Sequence, residues 1–187
     1  MIKSLCLFSA IVFLAGCQQD QAALPEPVDI TAESAGFYCQ MALLEHDGPK
    51  GQIHLEGLAA PLFFSQVKDA VAYLHMPEQS HAVVTTYVQD MSIGTWDAPG
   101  PWVNVAEAVY VIGSDRMGGM GAPEFVPFSS IEAAQIFADH HGGKVRAYET
   151  ITASEALSVP QIQSPPASSP DDDISARLGA LTQNKGN

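Results

Sequence analysis

The chain has 187 residues, 47% of them hydrophobic, and carries 21 Asp and Glu against 8 Lys and Arg, for a net charge of −13. That length fits one compact domain with appendages or two very small domains, and the apolar fraction excludes a chain disordered throughout. The negative charge is spread along the sequence with no basic cluster, which excludes a nucleic-acid-binding footprint and leaves cations or cationic partners electrostatically favoured.

The N-terminus reads MIKSLCLFSAIVFLAGC, with a positive start at Lys3, an apolar run from Leu5 to Leu14 and small residues before Cys17. This is the pattern of a secretory signal peptide at 1–16, too short to be a membrane span. Leu14-Ala15-Gly16-Cys17 resembles a bacterial lipobox, which implies cleavage before Cys17 and a thioether-linked lipid on its sulfur. Several acyl chains on one cysteine anchor stably, each buried methylene contributing about 0.8 kcal/mol. Removal of Lys3 leaves seven Lys and Arg against twenty-one Asp and Glu, a net charge of −14. Cys6 departs with the leader and Cys17 carries lipid, so Cys39 is left alone and an intramolecular disulfide is excluded. Gln18 behind the lipidated cysteine, rather than Asp, fits outer-membrane placement by the usual bacterial sorting pattern, facing the periplasm.

Residues 17–35 read as a lipidated tether, and 152–187, rich in Pro, Ser and Asp, as a disordered tail with a short helix at 174–181. The part between contains an echo: FFSQVKDAVAYL at 63–74 parallels PFSSIEAAQIFA at 127–138. Both have Phe-Ser, an early acidic residue and apolar residues at helical spacing, with Ser65 or Ser129 placed to cap a helix. Strand-like segments at 36–44 and 52–57 precede the first helix and 81–87 follows it; 108–114, 124–126 and 144–148 stand in the same relation to the second. The expected fold is α+β, with two duplicated ββαβ units packed together, a first unit at 36–94 and a linker plus second unit at 95–151. Neither unit buries enough apolar surface alone. Trp96 and Trp102 lie around a Pro-Gly-Pro turn between them, in a packed linker or a partner-binding patch.

On a strand at 36–44, Cys39 and Met41 project together with Phe37 and Leu43. Spacing leaves Cys39 open as packing, nucleophile or ligand; a thiol with thioethers suits Cu(I) better than Zn(II). His46, in the turn EHDGPKG, is either solvated or within reach of the end of the first strand. In the corresponding turn of the second half, GSDRMGGMG, the glycines let Met117 or Met120 project from an irregular loop. There is no HExxH, GxSxG or CxxC, so the common zinc-protease, hydrolase and thioredoxin motifs are absent. His140 and His141 precede Gly142-Gly143 at a helix end, a structural placement, and His54, His75 and His81 show no ligand-like pairing.

Taken in order, the lipobox, YCQM, EHDGPKGQIHL, GSDRMGGMG, PFSSIEAAQIFADHHGGKV and the acidic Pro-rich tail resemble the NosL family of copper-binding lipoproteins. The resemblance implies a fold related to the organomercurial lyase MerB and a Cu(I) chaperone, not an enzyme. It implies delivery to the copper centres of nitrous oxide reductase, chiefly the copper–sulfide cluster, through an assembly complex of NosD and an ABC transporter. Carried over by position, it implies Cys39, Met120, Met41 and His46 as metal ligands, in that order, with Met117 outside. The alternatives are a thiol-dependent lyase-like enzyme using Cys39, and a lipid-anchored interaction module working through Trp96, Trp102 or the tail.

Overall fold

Two antiparallel sheets with three helices form the computed structural model of the protein, which describes residues 23–159. The leader at 1–16, Cys17 and the helix expected at 174–181 lie outside those residues.

The first sheet contains β1 (Gly51–Leu55), β2 (Leu62–Phe64), β3 (Val83–Gln89) and β4 (Trp102–Asn104), in the order β2-β1-β3-β4. Central β1 is buried along its whole length, so its polar side chains need partners. Gln52 finds them in the backbone of Val28, accepting from its N–H at 2.8 Å and donating to its carbonyl at 3.0 Å. The Tyr87 hydroxyl on β3 donates to the Pro25 carbonyl at 2.9 Å. Residues 25–28, read from sequence as part of a free tether, are thus strapped to the sheet. Trp102, expected in a linker, belongs to β4 and pairs with Gln89.

Between β2 and β3 lies α1 (Val67–His75), whose Val67, Ala70, Val71 and Leu74 recur at helical spacing and pack into the core. The second sheet contains β5 (Val109–Met117), β6 (Pro123–Phe128) and β7 (Lys144–Ala147), in the order β6-β5-β7, with α2 (Ile131–His141) between β6 and β7. Both helices start later than the sequence echo predicts, because its leading residues finish β2 and β6. Ser130, not Ser129, caps α2, its hydroxyl accepting from Ala133 N–H at 3.3 Å. Ser129 turns to buried Asp90, donating its hydroxyl at 2.6 Å and its N–H at 2.8 Å. Gln66, not Ser65, holds the N-cap position of α1, and its side chain makes no cap bond.

One apolar cluster crosses between the sheets, joining Val67, Val71 and Val88 to Tyr110, Phe125, Ile151 and Ala156. Ala156 belongs to α3 (Ala153–Ala156), inside the segment expected to be tail. A reciprocal capping box between Thr152 and Glu155 starts this short helix, and Arg146 holds Glu155 at 3.0 Å.

The expected strand at 36–44 is a correction. Only isolated bridges form there, Ala35 with Ala42 and Gly36 with Phe63, and Leu43–Glu45 is a 3-10 turn. The physical reason is Gln40, whose φ of 56° is left-handed and incompatible with a continuous strand. Its side-chain amide holds the turn by donating to the Phe37 carbonyl at 2.6 Å.

Candidate metal site

Cys39, Met41, His46 and Met120 are all carried by loops. The turn at 36–41 is closed by Gly36 N–H to the Met41 carbonyl (3.0 Å) and Gln40 N–H to the Gly36 carbonyl (2.8 Å). Phe37 N–H donates to the Phe63 carbonyl at 2.6 Å, docking the turn on β2. Cys39 is a half-buried free thiol whose sulfur lies over Gly36; a Cβ at Gly36 would sit 2.5 Å from it. Met41 follows the left-handed residue, so the side-by-side strand geometry expected for Cys39 and Met41 does not apply. They share a six-residue turn instead.

The second loop, 118–122, joins β5 to β6 and leans on the first half of the molecule. His46 Nδ1 lies 2.8 Å from the Gly119 carbonyl. A carbonyl only accepts, so Nδ1 carries the proton and a neutral imidazole keeps its lone pair on Nε2. Nε2 is buried without a hydrogen-bond partner, Cys39 included. Met120 N–H donates to Gln66 Oε1 at 3.3 Å. Gly119 must be glycine for this approach: a Cβ there would fall 2.7 Å from the Ser65 carbonyl oxygen and 2.8 Å from His46 Cβ. The Cys39 turn reaches the same residue from its amide side, since a Cβ on Gly36 would be 3.8 Å from Ser65 N. The two loops therefore flank Ser65, where β2 passes into α1.

Met41 and Met120 are 42% and 44% exposed, so their thioethers are open to an incoming ion or protein. Met117, 51% exposed, ends β5. Among the described residues no three His, Cys, Asp or Glu side chains converge on a point. The other soft side chains on these loops are thioethers, which suit soft ions. A cavity of about 520 Å³ opens elsewhere, lined by Lys68, Phe125, Ser154 and Ser158 among others, and takes in none of the four predicted donors.

Two residues beside this site escaped the sequence reading. Glu124, the second residue of β6, is fully buried, accepting from the N–H groups of Val67 (3.2 Å), Lys68 (2.9 Å) and Phe125 (2.8 Å). The first turn of α1 is thus capped from the second half of the molecule. Burial pushes the Glu124 carboxyl up to about 8 against the pull of those three amides. Gln66 is the other. A carboxylate heading the apolar run Phe125–Phe128 was the available signal for Glu124; nothing in the sequence pointed to Gln66. Lys50, also buried, donates to the Gly48 carbonyl, and burial brings its ammonium down to about 8, opposed by Glu124 and Asp47. Trp96 is packed, its carbonyl accepting from Gly48 N–H at 2.7 Å and its ring lying 5.3 Å from the Arg116 guanidinium.

The class so defined is an α+β protein whose loops carry a half-buried thiol, two exposed thioethers and an imidazole with one buried nitrogen. The NosL family model matches residues 27–156, and the chain belongs to the NosL family. It is 47% identical over 184 residues to the copper-binding lipoprotein NosL of Achromobacter cycloclastes, covering 96% of this chain and 95% of that one. To the copper-binding lipoprotein NosL of Stutzerimonas stutzeri it is 30% identical over 144 residues, 74% of this chain and 73% of the relative. The crystal structure of the copper chaperone NosL from Shewanella denitrificans superposes with a TM-score of 0.65 at 30% identity, covering 69% of this chain and 97% of that chain.

Proposed function

We propose that the protein carries Cu(I) as cargo on Cys39, Met120, Met41 and His46 and passes it to an acceptor by ligand exchange. The observation that carries this reading is the contact between His46 and Gly119, which are 73 residues apart. It brings the histidine loop of one half against the methionine loop of the other and leaves Nε2 with a buried, unshared lone pair. Metal-bound histidines commonly donate their second ring N–H to a backbone carbonyl, as His46 does here. Thiolate and thioether select Cu(I), and donors on open loops allow an acceptor's ligands to enter before the carrier's leave.

Carriage rather than turnover is the reading because the relatives are named copper-binding lipoproteins and a copper chaperone, and His46, which donates to a carbonyl, is not paired with Cys39 as a base. The family resemblance names the acceptor as nitrous oxide reductase, reached through NosD and an ABC transporter. The lipobox supports anchoring through Cys17 on the periplasmic side, with Gln18 favouring the outer membrane; no described helix is long and apolar enough to cross a membrane. The two sheets are read as a duplication of one ββαβ unit, supported by the sequence echo and by a central first strand in each sheet. The sequence division at 94/95 then places β4, in the linker, on the sheet of the first unit.

The test is Cys39→Ser in competition with a chromogenic Cu(I) chelator under anaerobic conditions. The variant is expected to lose strong Cu(I) binding. A variant that competes as well as the wild type places the site elsewhere.

A further inference from the structure

The Gly119 carbonyl and the Met120 amide are the two ends of one peptide unit, and the first half of the molecule grips both. His46 Nδ1–H donates to the oxygen at 2.8 Å, and Gln66 Oε1 accepts from the N–H at 3.3 Å. A peptide plane held at one end can still rotate; held at both ends, its orientation is fixed. Gln66 is itself fixed, being only 3% exposed at the N-cap of α1. The helix behind it is pinned in turn by Glu124, whose carboxyl oxygens accept from its first two amides across from β6. The fit is tight, since a Cβ at Gly118 would meet Glu124 Oε2 at 2.5 Å and both Gln66 Cβ and Oε1 at 2.8 Å. As an N-cap side chain Gln66 would ordinarily accept from the backbone of its own helix, and it does not; its amide bonds the Asp69 carboxyl instead, which leaves Oε1 to the Met120 amide.

We propose that Gln66 is a positioning residue for copper binding, orienting the Gly119–Met120 peptide so that the Met120 thioether is held in place before the ion arrives. This deepens the reading above and rests on Met120 and His46 being ligands. When the lone pair on His46 Nε2 is donated to a metal, Nδ1–H becomes a stronger donor to the Gly119 carbonyl. That polarises the same peptide and strengthens its N–H as a donor to Gln66. One ligand thereby tightens the seat of the other through the intervening peptide. Residues supporting a metal ligand in this manner change metal affinity by about 10- to 100-fold when replaced.

The experiment is a double-mutant cycle in Cu(I) affinity, measured by anaerobic chelator competition on Gln66→Leu, Met120→Leu and the double variant. Copper X-ray absorption counts the sulfur ligands of each, and melting of the copper-free proteins checks the fold. Gln66→Asn is the second variant. Asparagine is a favourable N-cap, so α1 is kept, but it is one methylene too short to reach the Met120 amide. The expected result is about a tenfold loss of affinity in Gln66→Leu and Gln66→Asn, with a weakened or missing copper–sulfur contribution. In the Met120→Leu background the Gln66 substitution is expected to have no further effect, because the group it positions is gone. Unchanged affinity in Met120→Leu would refute the ligand assignment on which the proposal rests. If Met120→Leu weakens binding while the Gln66 variants do not, or if the two losses simply multiply, the positioning role is wrong and the ligand assignment stands.

Discussion

Replacing Glu124 with glutamine tests how the two halves are joined. The carboxyl is 1% exposed and sits at the start of α1, where three amide N–H groups point at its oxygens. Two forces oppose each other there: loss of hydration favours the neutral acid, while the amides and the helix terminus favour the anion. Burial is the larger, and the group titrates near 8 in the folded protein against an ordinary 4.5. Because the folded value is raised, the native state holds a proton that the unfolded chain has already released. The contribution to stability is fully present below about pH 4.5 and is lost as pH rises toward 8. At about 1.4 kcal/mol for each unit of displacement, the interval is worth about 4 to 5 kcal/mol. Glutamine keeps one acceptor oxygen, for the Lys68 and Phe125 amides, gives up the one that faces Val67 N–H, and has no proton to lose. Urea unfolding of wild type and Glu124→Gln, followed by circular dichroism from pH 5 to pH 8, is the assay, and the difference between them isolates this group. Lys50, lowered to about 8 in the folded state, acts mainly above that window. The variant is expected to start about 1 to 3 kcal/mol below wild type at pH 5, for the Val67 amide left unpaired, and to gain on it steadily toward pH 8. A wild type that gains on the variant over that range would show an ionised carboxylate held by the helix terminus, and the reasoning would fail.

Two further outcomes follow from the packing. Gly119→Ala puts a methyl group 2.7 Å from the Ser65 carbonyl and 2.8 Å from His46 Cβ, so the loop must lift. Cu(I) affinity is expected to fall by about tenfold, read by chelator competition, while the melting temperature changes little. Tyr110→Phe removes a fully buried hydroxyl that donates to the Val105 carbonyl at 2.7 Å. It is expected to cost about 1 to 2 kcal/mol in urea unfolding, with copper binding unaffected.

The helices and most strands were legible because their apolar spacing is local: β1, β3, β5, β6 and β7 lie within a few residues of their expected positions. The segment at 36–44 was misread because Phe37, Cys39, Met41 and Leu43 alternate as a strand does, while Gln40 takes a left-handed conformation that no alternation reveals. The caps were displaced by one residue for a different reason. Ser65 and Ser129 both follow phenylalanine in the echo, but the strand hydrogen bonds run to that phenylalanine and move the helix start along. As for the candidate site, sulfur and imidazole side chains could be picked out by residue type, and the approach of His46 to Gly119 could not. It depends on how the halves pack, as does the grip of Gln66 and Glu124 on the opposite half. Those contacts have sequence separations of 54 to 73 residues, beyond any local pattern.

The strap at 25–28 sets a radius of action. Once Pro25 and Val28 are bonded to Tyr87 and Gln52, only the residues ahead of them can serve as a leash. With a lipid on Cys17, as the lipobox implies, seven residues separate the anchor from Pro25, and a chain of that length spans at most about 29 Å whatever path it takes. A folded body of this size on so short a line would not search a volume. It can meet only what comes to its own membrane surface, and for a carrier this turns delivery from a problem of diffusion in a volume into one of encounter in a layer.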